Sequence, residues 1–339
     1  MRVRLPLTLA LGAAILGIGS NIYAQVESAI GLTEKAMRQK DLERKTLGKK
    51  EATGLEGFAP EMFAGEYEDV GPQSILKMNR KKKKRKYFMA SADSQLFYTS
   101  NTALTENGDD STLMTHTVVM ALAPDPYPFK DGALSPRLGF RHQFFNYGLL
   151  GSGPAVGVVD FDSQAIFADV QYSFKETWAV VFGLEYVRLM NHIPTFSAYR
   201  EFYRDWTPRF ELTKYANLSE TRFFTFSYQS YYHLSESPDS PNIAAQDRLE
   251  QVLLMAYTHM FGPKIVVQPF YRAVFTHYTH QIDRDDHLHS VGFSAFYNLT
   301  SWLTARVAMT YDAKESDTPA IPDYRKLDFG VGLTASKRF

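Results

Sequence analysis

The sequence contains no cysteine among its 339 residues. Disulfides, thiolate metal sites and a lipid anchor on an N-terminal cysteine are therefore excluded. After the first 24 residues there is also no run of about 18 apolar residues, the length at which a transmembrane helix is expected. The charges balance overall, with 37 basic and 37 acidic side chains. The fold must therefore be inferred from shorter sequence patterns, such as the alternation of apolar and polar residues.

The N-terminus has the pattern of a secretory signal peptide. Arg2 and Arg4 give a positive start, and 5–18 is an apolar stretch too short to span a bilayer comfortably. The sequence Ile-Tyr-Ala at 22–24 offers a cleavage site. We therefore predict a signal peptide over 1–24, with an uncleaved membrane anchor as the alternative.

Residues 25–86 differ in charge from the rest of the chain. They carry 15 basic and 10 acidic side chains, whereas 87–339 carry 20 basic and 27 acidic ones. The positive excess comes from seven consecutive basic residues, from Arg80 to Lys86. Because no strand of useful length is predicted before Tyr87, we expect 25–86 to be a short, mostly irregular extension.

From Tyr87 onward, apolar and polar residues alternate, in a sequence that contains 25 Phe and 20 Tyr. A period of two is the pattern of a β-strand whose two faces meet different surroundings. Each alternating segment is at least as long as the roughly 9–11 residues that a bilayer-spanning strand needs. We predict twelve strands, at 87–101, 115–124, 136–148, 162–175, 177–191, 206–219, 221–235, 248–262, 264–280, 285–300, 301–314 and 324–339.

The connections between these segments alternate in length. Long polar connections follow the odd-numbered segments, as at 102–114 and 192–205, and short turns follow most even-numbered ones, as at 175–177. Only 125–135 breaks the rule. Short periplasmic turns and long outer loops are typical of transmembrane β-barrels, whereas the loops of a soluble β-sandwich, the alternative, need not alternate.

The C-terminal residues alternate as well and end in phenylalanine. Phe329, Val331 and Leu333 share one strand face, and Phe339 closes the chain. This ending resembles the last strand of Gram-negative outer-membrane barrels, where the terminal residues are the sorting signal for the barrel-assembly machinery. Lys337 departs from the usual apolar pattern, although a lysine near the rim can extend to water. We expect Phe339 to belong to an assembly signal.

The chain from 87 to 339 resembles the porin-like β-barrels of Gram-negative outer membranes. The signal peptide, the alternating strands, the C-terminal strand and the charged loop 284–286 before two more strands carry the resemblance. It implies an all-β fold, a transmembrane antiparallel up-and-down barrel of about 12 strands, with the extension and both termini in the periplasm. It also implies passive passage of small hydrophilic solutes or of an exported polymer, with no catalysis and no cofactor. A closed structural or adhesive barrel that binds through its outer loops is the alternative.

Charged residues in the middle of the strands are expected to face the lumen. Backbone groups in lipid require a closed sheet, and a charge that faces lipid at the midplane costs about 2–4 kcal/mol. The candidates for a lumen constriction are Asp93, Arg137, Arg141, Asp169, Glu185, Arg209, Glu211, Arg272 and Arg306. They could sort solutes by charge, or they could pair and keep a narrow barrel shut.

Two further polar features indicate binding. The basic run 80–86 could bind anionic phospholipid or an acidic polymer, or it could be a solvated tether; nucleic acid is not expected as a partner of an exported protein. His277, His280, His287 and His289 surround one predicted outer loop and are weak candidates for a metal site, because their spacing matches no metal motif.

A third feature concerns catalysis. His233 and Ser235 stand two residues apart, as the histidine and serine of the outer-membrane phospholipases do, but Glu236 and Ser237 replace the Asn-Gly that follows in that family. A nucleophilic serine also needs a base held by a third group. The sequence shows no such group, so a barrel hydrolase is the less favoured alternative and no catalytic residue is predicted.

Overall fold

The structure, a computed structural model, describes residues 87–101, 110–148, 160–175, 177–192, 199–219, 221–236, 246–262, 264–280, 284–319 and 321–339. The predicted signal peptide, the extension 25–86 and the basic run 80–86 lie outside these residues and stay predictions. Within the described residues, no helix has the length and apolarity needed to cross a membrane.

The described chain is built from β-strands. They are β1 (Phe88–Thr99), β2 (Ser111–Leu122), β3 (Tyr127–Phe129), β4 (Gly132–Tyr147), β5 (Phe161–Phe174), β6 (Trp178–His192), β7 (Tyr199–Ser219), β8 (Arg222–Glu236), β9 (Arg248–Phe261), β10 (Ile265–Tyr278), β11 (Asp285–Asn298), β12 (Leu303–Ser316) and β13 (Tyr324–Arg338). Abundant Val, Phe, Tyr and Thr, which suit a half-buried pleated surface, favour strands throughout.

Each long strand pairs antiparallel with its neighbours, and the sheet closes on itself. β4 to β13 pair in chain order, β13 pairs with β1, β1 with β2, and β2 with β4. Main-chain bonds continue this pairing to the C-terminus, where Phe339 N donates to Phe88 O and Tyr87 N to Phe339 O, both at 2.9 Å. Because β3 pairs only with β4, twelve strands form the wall. The predicted all-β antiparallel barrel of about 12 strands is confirmed.

Some strand boundaries differ from the predicted ones. β2 begins at Ser111 rather than 115, and β7 begins at Tyr199 rather than 206. Charged residues at 200, 201, 204 and 205 obscure the alternation of apolar and polar residues there, because outward-facing positions near the rim can also be polar. The predicted long connection 125–135 contains a hairpin in which β3 pairs with the start of β4, around Lys130 at φ 50°.

The two faces of the wall differ in chemistry. Phe182 and Val291 on the outer face are 62% and 59% exposed, whereas Ser290 on the inner face is fully buried. Outward aromatic pairs occur at the strand ends, such as Phe174 and Trp178, whose ring centroids are 6.3 Å apart. An apolar outer band flanked by aromatic residues is the surface that a lipid bilayer requires.

Candidate functional site

The inner face of β4 to β7 carries a connected group of charges. Asp169 on β5 accepts two hydrogen bonds from Arg137 on β4, at Nε and one terminal nitrogen, each 2.8 Å long. The same carboxylate accepts a third bond of 2.8 Å from Arg209 on β7. One acid therefore holds two guanidinium groups, and this forked geometry fixes their orientation.

A glycine makes this arrangement possible. Asp169, Gly183 and Arg209 are partners in register on three successive strands, so Arg209 must cross β6 to reach Asp169. A Cβ on residue 183 would lie 2.7 Å from Arg209 Nε and 3.1 Å from Asp169 Cβ. Gly183 thus provides the space through which an arginine links strands that are not neighbours.

Two further predicted residues extend the group. Arg141 on β4 forms an ion pair with Glu185 on β6, and a terminal nitrogen of Arg209 lies 3.9 Å from that glutamate. The group therefore contains three arginines and two carboxylates. Its side chains are at most 10% exposed except for that of Arg137, at 29%. We name Arg137, Arg141, Asp169, Glu185 and Arg209 the arginine wall.

A second group lies on the strands across the barrel. Asp93 on β1 lies 3.5 Å from Arg306 on β12 and accepts hydrogen bonds from Gln95 and Thr334. All four are buried. The predicted pair of opposite charges is thus surrounded by polar donors that share its carboxylate.

The structure also shows inward charges that the sequence did not single out as site residues. Lys326 on β13 lies 3.5 Å from Asp312 and 2.8 Å from Asp328. Nearer the long loops, Asp286 is bound by Arg284 at 2.8 Å and Lys314 at 2.9 Å. Strand alternation could have identified these charges. They stand at even-numbered positions, as do the inward-facing Ser290 on β11, Arg306 on β12 and Thr334 on β13. They differ from the predicted lumen residues only in lying nearer the strand ends.

The two remaining predicted lumen residues make weaker contacts. Glu211 accepts hydrogen bonds from Thr213 at 2.8 Å and from Ser227 at 3.3 Å. Arg272 is half-buried and lies 3.5 Å from Ser290 Oγ. Both are on the inner face, where these contacts are to neutral hydroxyl groups.

The histidine that resembles a phospholipase base has an acidic partner after all. His233 Nδ1 lies 2.6 Å from Asp205, and Thr207 Oγ1 donates to the same carboxylate at 3.0 Å. Ser235, however, donates its hydroxyl to Asp247 at 3.0 Å. The expectation that no orienting group exists is wrong, but the serine is engaged elsewhere and the contacts do not assemble a triad.

The four histidines of the outer loop do not converge. His277 contacts Asp285 at 2.6 Å and His280 lies 3.4 Å from Asp247, while His289 stacks on Tyr271. His287 packs edge-on against a phenylalanine of β10. No group of three or more His, Asp or Glu suited to a metal ion occurs among the described residues.

Comparisons with known proteins bear on the fold. No family model matches the chain, and no curated protein matches it. A solved outer membrane channel from Pseudomonas putida F1 is similar in structure, with a TM-score of 0.52 at 11% identity over 74% of this chain and 96% of that one. The β-domain of the Bordetella autotransporter BrkA gives a TM-score of 0.44 at 10% identity, over 74% of this chain and 100% of that one. With its closed wall, polar interior and apolar exterior, the chain has the fold of an outer-membrane β-barrel, as the Pseudomonas putida channel does.

Proposed function

We propose that the protein is a channel of the bacterial outer membrane through which small hydrophilic solutes pass without an energy source. The proposal rests on the positions of the inward-facing ion pairs in the barrel wall. Every ion pair of the arginine wall joins strands at most two apart, and so does the Asp93–Arg306 pair. In the described residues these pairs run along the wall instead of crossing the lumen, as fixed charges in a pore do.

The arginine wall sets the charge that a solute meets on one side of the proposed channel. Its three arginines face two carboxylates, and Glu211 on the inner face of β7 adds a third carboxylate. Fixed charges in a narrow pore attract ions of the opposite sign and repel ions of the same sign. Removing one arginine should therefore shift the preference of the channel towards cations.

A closed barrel is the second candidate, and burial favours it. Inward residues such as Asp169 and Arg306 are 4% and 3% exposed, which is less than a wide aqueous pore would give. In this case the inner pairs hold the wall rigid, and the outer loops bind a surface or a partner. An exported polymer instead of small solutes is a further possibility within the channel proposal.

The remaining assignments follow from the same proposal. The short-turn end of the barrel, which also carries Tyr87 and Phe339, faces the periplasm in this proposal. The C-terminal strand is recognised by the barrel-assembly machinery. The separate contacts of His233 and Ser235 support a role without catalysis.

Single-channel conductance of the refolded mature protein in a planar bilayer tests the proposal. Stepwise currents are expected, and Arg209→Gln should shift the preference of the channel towards cations. Arg188→Gln is the matched control, because Arg188 is exposed on the outer face of the neighbouring β6. A folded barrel without current would refute the channel and favour the closed barrel.

A further inference from the structure

The short-turn end of the barrel carries a group of outward or turn cations. They are Lys130, Lys175, Lys214, Arg222, Lys264 and Lys337, which we name the basic collar. All are exposed except Lys214, which is half-exposed. None of them forms an ion pair within the described part of the chain, whereas the arginines of the arginine wall are all paired. A cation without an ion-pair partner on the rim of a membrane protein is available to the phosphates of lipids.

Aromatic rings lie beside three members of the collar. Lys214 Nζ lies 4.6 Å from the centroid of the Trp178 ring and donates to Thr177 Oγ1 at 2.9 Å. Lys337 Nζ lies 5.4 Å from the Phe339 ring, and Lys130 Nζ lies 5.5 Å from the ring of its neighbour Phe129. Aromatic residues anchor at the level of the head groups, so these contacts place the ammonium groups at the lipid phosphates.

The opposite end of the barrel has the opposite charge. Its described outward and loop residues include the acids Asp110, Asp160, Asp162, Glu201, Glu236, Asp285, Glu315, Asp317 and Asp323, against the bases Arg188, Arg200, Arg204 and Arg325. At the short-turn end the described acids are only Asp125 and Asp131, and Glu176 and Glu220 of the same turns still leave the cations in excess. The barrel is therefore polarised along its axis.

We propose that the basic collar binds the head groups of anionic phospholipids, such as phosphatidylglycerol and cardiolipin, in the leaflet at the short-turn end. Each lysine or arginine at such a surface gains electrostatic attraction, and the phosphate accepts hydrogen bonds from the ammonium and guanidinium groups. The proposal rests on the membrane location given above but not on conduction. It concerns the folded barrel, separately from the basic run 80–86.

Trp178 provides a reporter beside the collar. The variant Trp206→Phe/Trp302→Phe retains only this tryptophan, and Trp178→Phe/Trp302→Phe retains only Trp206, near the long-loop end. Each protein, refolded in vesicles of phosphatidylcholine, is titrated with brominated phosphatidylglycerol or brominated phosphatidylcholine. At low salt, Trp178 should be half-quenched at about threefold less brominated phosphatidylglycerol than brominated phosphatidylcholine, and the two should be equal in 1 M salt.

Three variants show which cations produce the preference for phosphatidylglycerol at Trp178. Neutralising the collar with Lys130→Gln, Lys175→Gln, Lys214→Gln, Arg222→Gln, Lys264→Gln and Lys337→Gln should abolish the preference at Trp178. Neutralising Arg188, Arg200, Arg204 and Arg325 instead should leave it intact, and so should neutralising the run 80–86.

Equal quenching by the two lipids at Trp178, an equal preference at Trp206, or a preference that is lost only with the run 80–86 would each overturn the proposal. Conductance measured on the same preparations separates this result from the channel proposal, since either can fail while the other holds.

Discussion

Replacing Asp169 with asparagine should expose how strongly the arginine wall stabilises the barrel. The substitution keeps the shape of the side chain but removes the charge that Arg137 and Arg209 share. The Asp169 side chain is 1% exposed, so water cannot replace it. Only Arg209 retains a nearby carboxylate, at 3.9 Å in Glu185, and Arg137 loses its partner.

The size of the effect follows from burial. Removing one partner of a buried ion pair costs about 3–5 kcal/mol, whereas an exposed pair is worth about 0–1 kcal/mol. Arg137 is 29% exposed and partly solvated once it is released, which places the expected loss near the lower end, at about 3 kcal/mol. The double variant Arg137→Gln/Asp169→Asn should lose less than the sum of the two single ones, since each alone already breaks the shared contact.

Equilibrium urea unfolding of the refolded barrel in micelles, followed by tryptophan fluorescence, measures the loss. Asp162→Asn is the matched control, because Asp162 lies on the same strand but faces outward and is only half-buried, with its side chain 23% exposed. That variant should change the free energy of unfolding by no more than about 1 kcal/mol. If Asp169→Asn also costs less than about 1 kcal/mol, the wall is screened by water and the reasoning from burial is refuted.

Three other changes test separate features. Gly183→Ala should displace Arg209 from Asp169 and lower the free energy of unfolding by about 1–3 kcal/mol in the same urea assay, because its Cβ would meet the guanidinium group; an unchanged midpoint would contradict the crowding. Lys326→Met should cost about 3–5 kcal/mol by leaving two carboxylates without their cation, while the same change at exposed Lys337 should be nearly neutral; equal effects would count against the pairing. Deleting Phe339 should reduce the heat-modifiable outer-membrane barrel in cells, and full yield would show that the C-terminal signal lies elsewhere.

The fold could be predicted from the sequence because a barrel in lipid has few alternatives. Period-two patterns identify strands, and loops that alternate in length identify the two ends of the barrel. The ends of the strands are harder to predict. β7 begins at Tyr199, within a charged stretch whose composition is typical of a loop. The sequence cannot reveal that such a stretch pairs above the apolar band, because pairing there depends on β6 continuing beside it.

Inward charges could also be predicted, but their partners could not. Alternation places Arg209 and Asp169 inside, yet only the register shows that they meet across Gly183. Likewise, Asp205 and His233 are 28 residues apart in sequence and 2.6 Å apart in space. Pairing between strands depends on shear and register, which are properties of the closed sheet and not of any one segment.

The unequal strand lengths give the entrance an uneven height. β7 has 21 residues and β1 has 12, so at about 3.3 Å per residue they extend roughly 70 Å and 40 Å. Part of the surplus of β7 lies at the end of the long loops, where its first residues pair with the last residues of β6. At the long-loop end the wall is therefore higher at β6 and β7 than at β1. These two strands also carry Glu185 and Arg209 of the arginine wall on their inner faces.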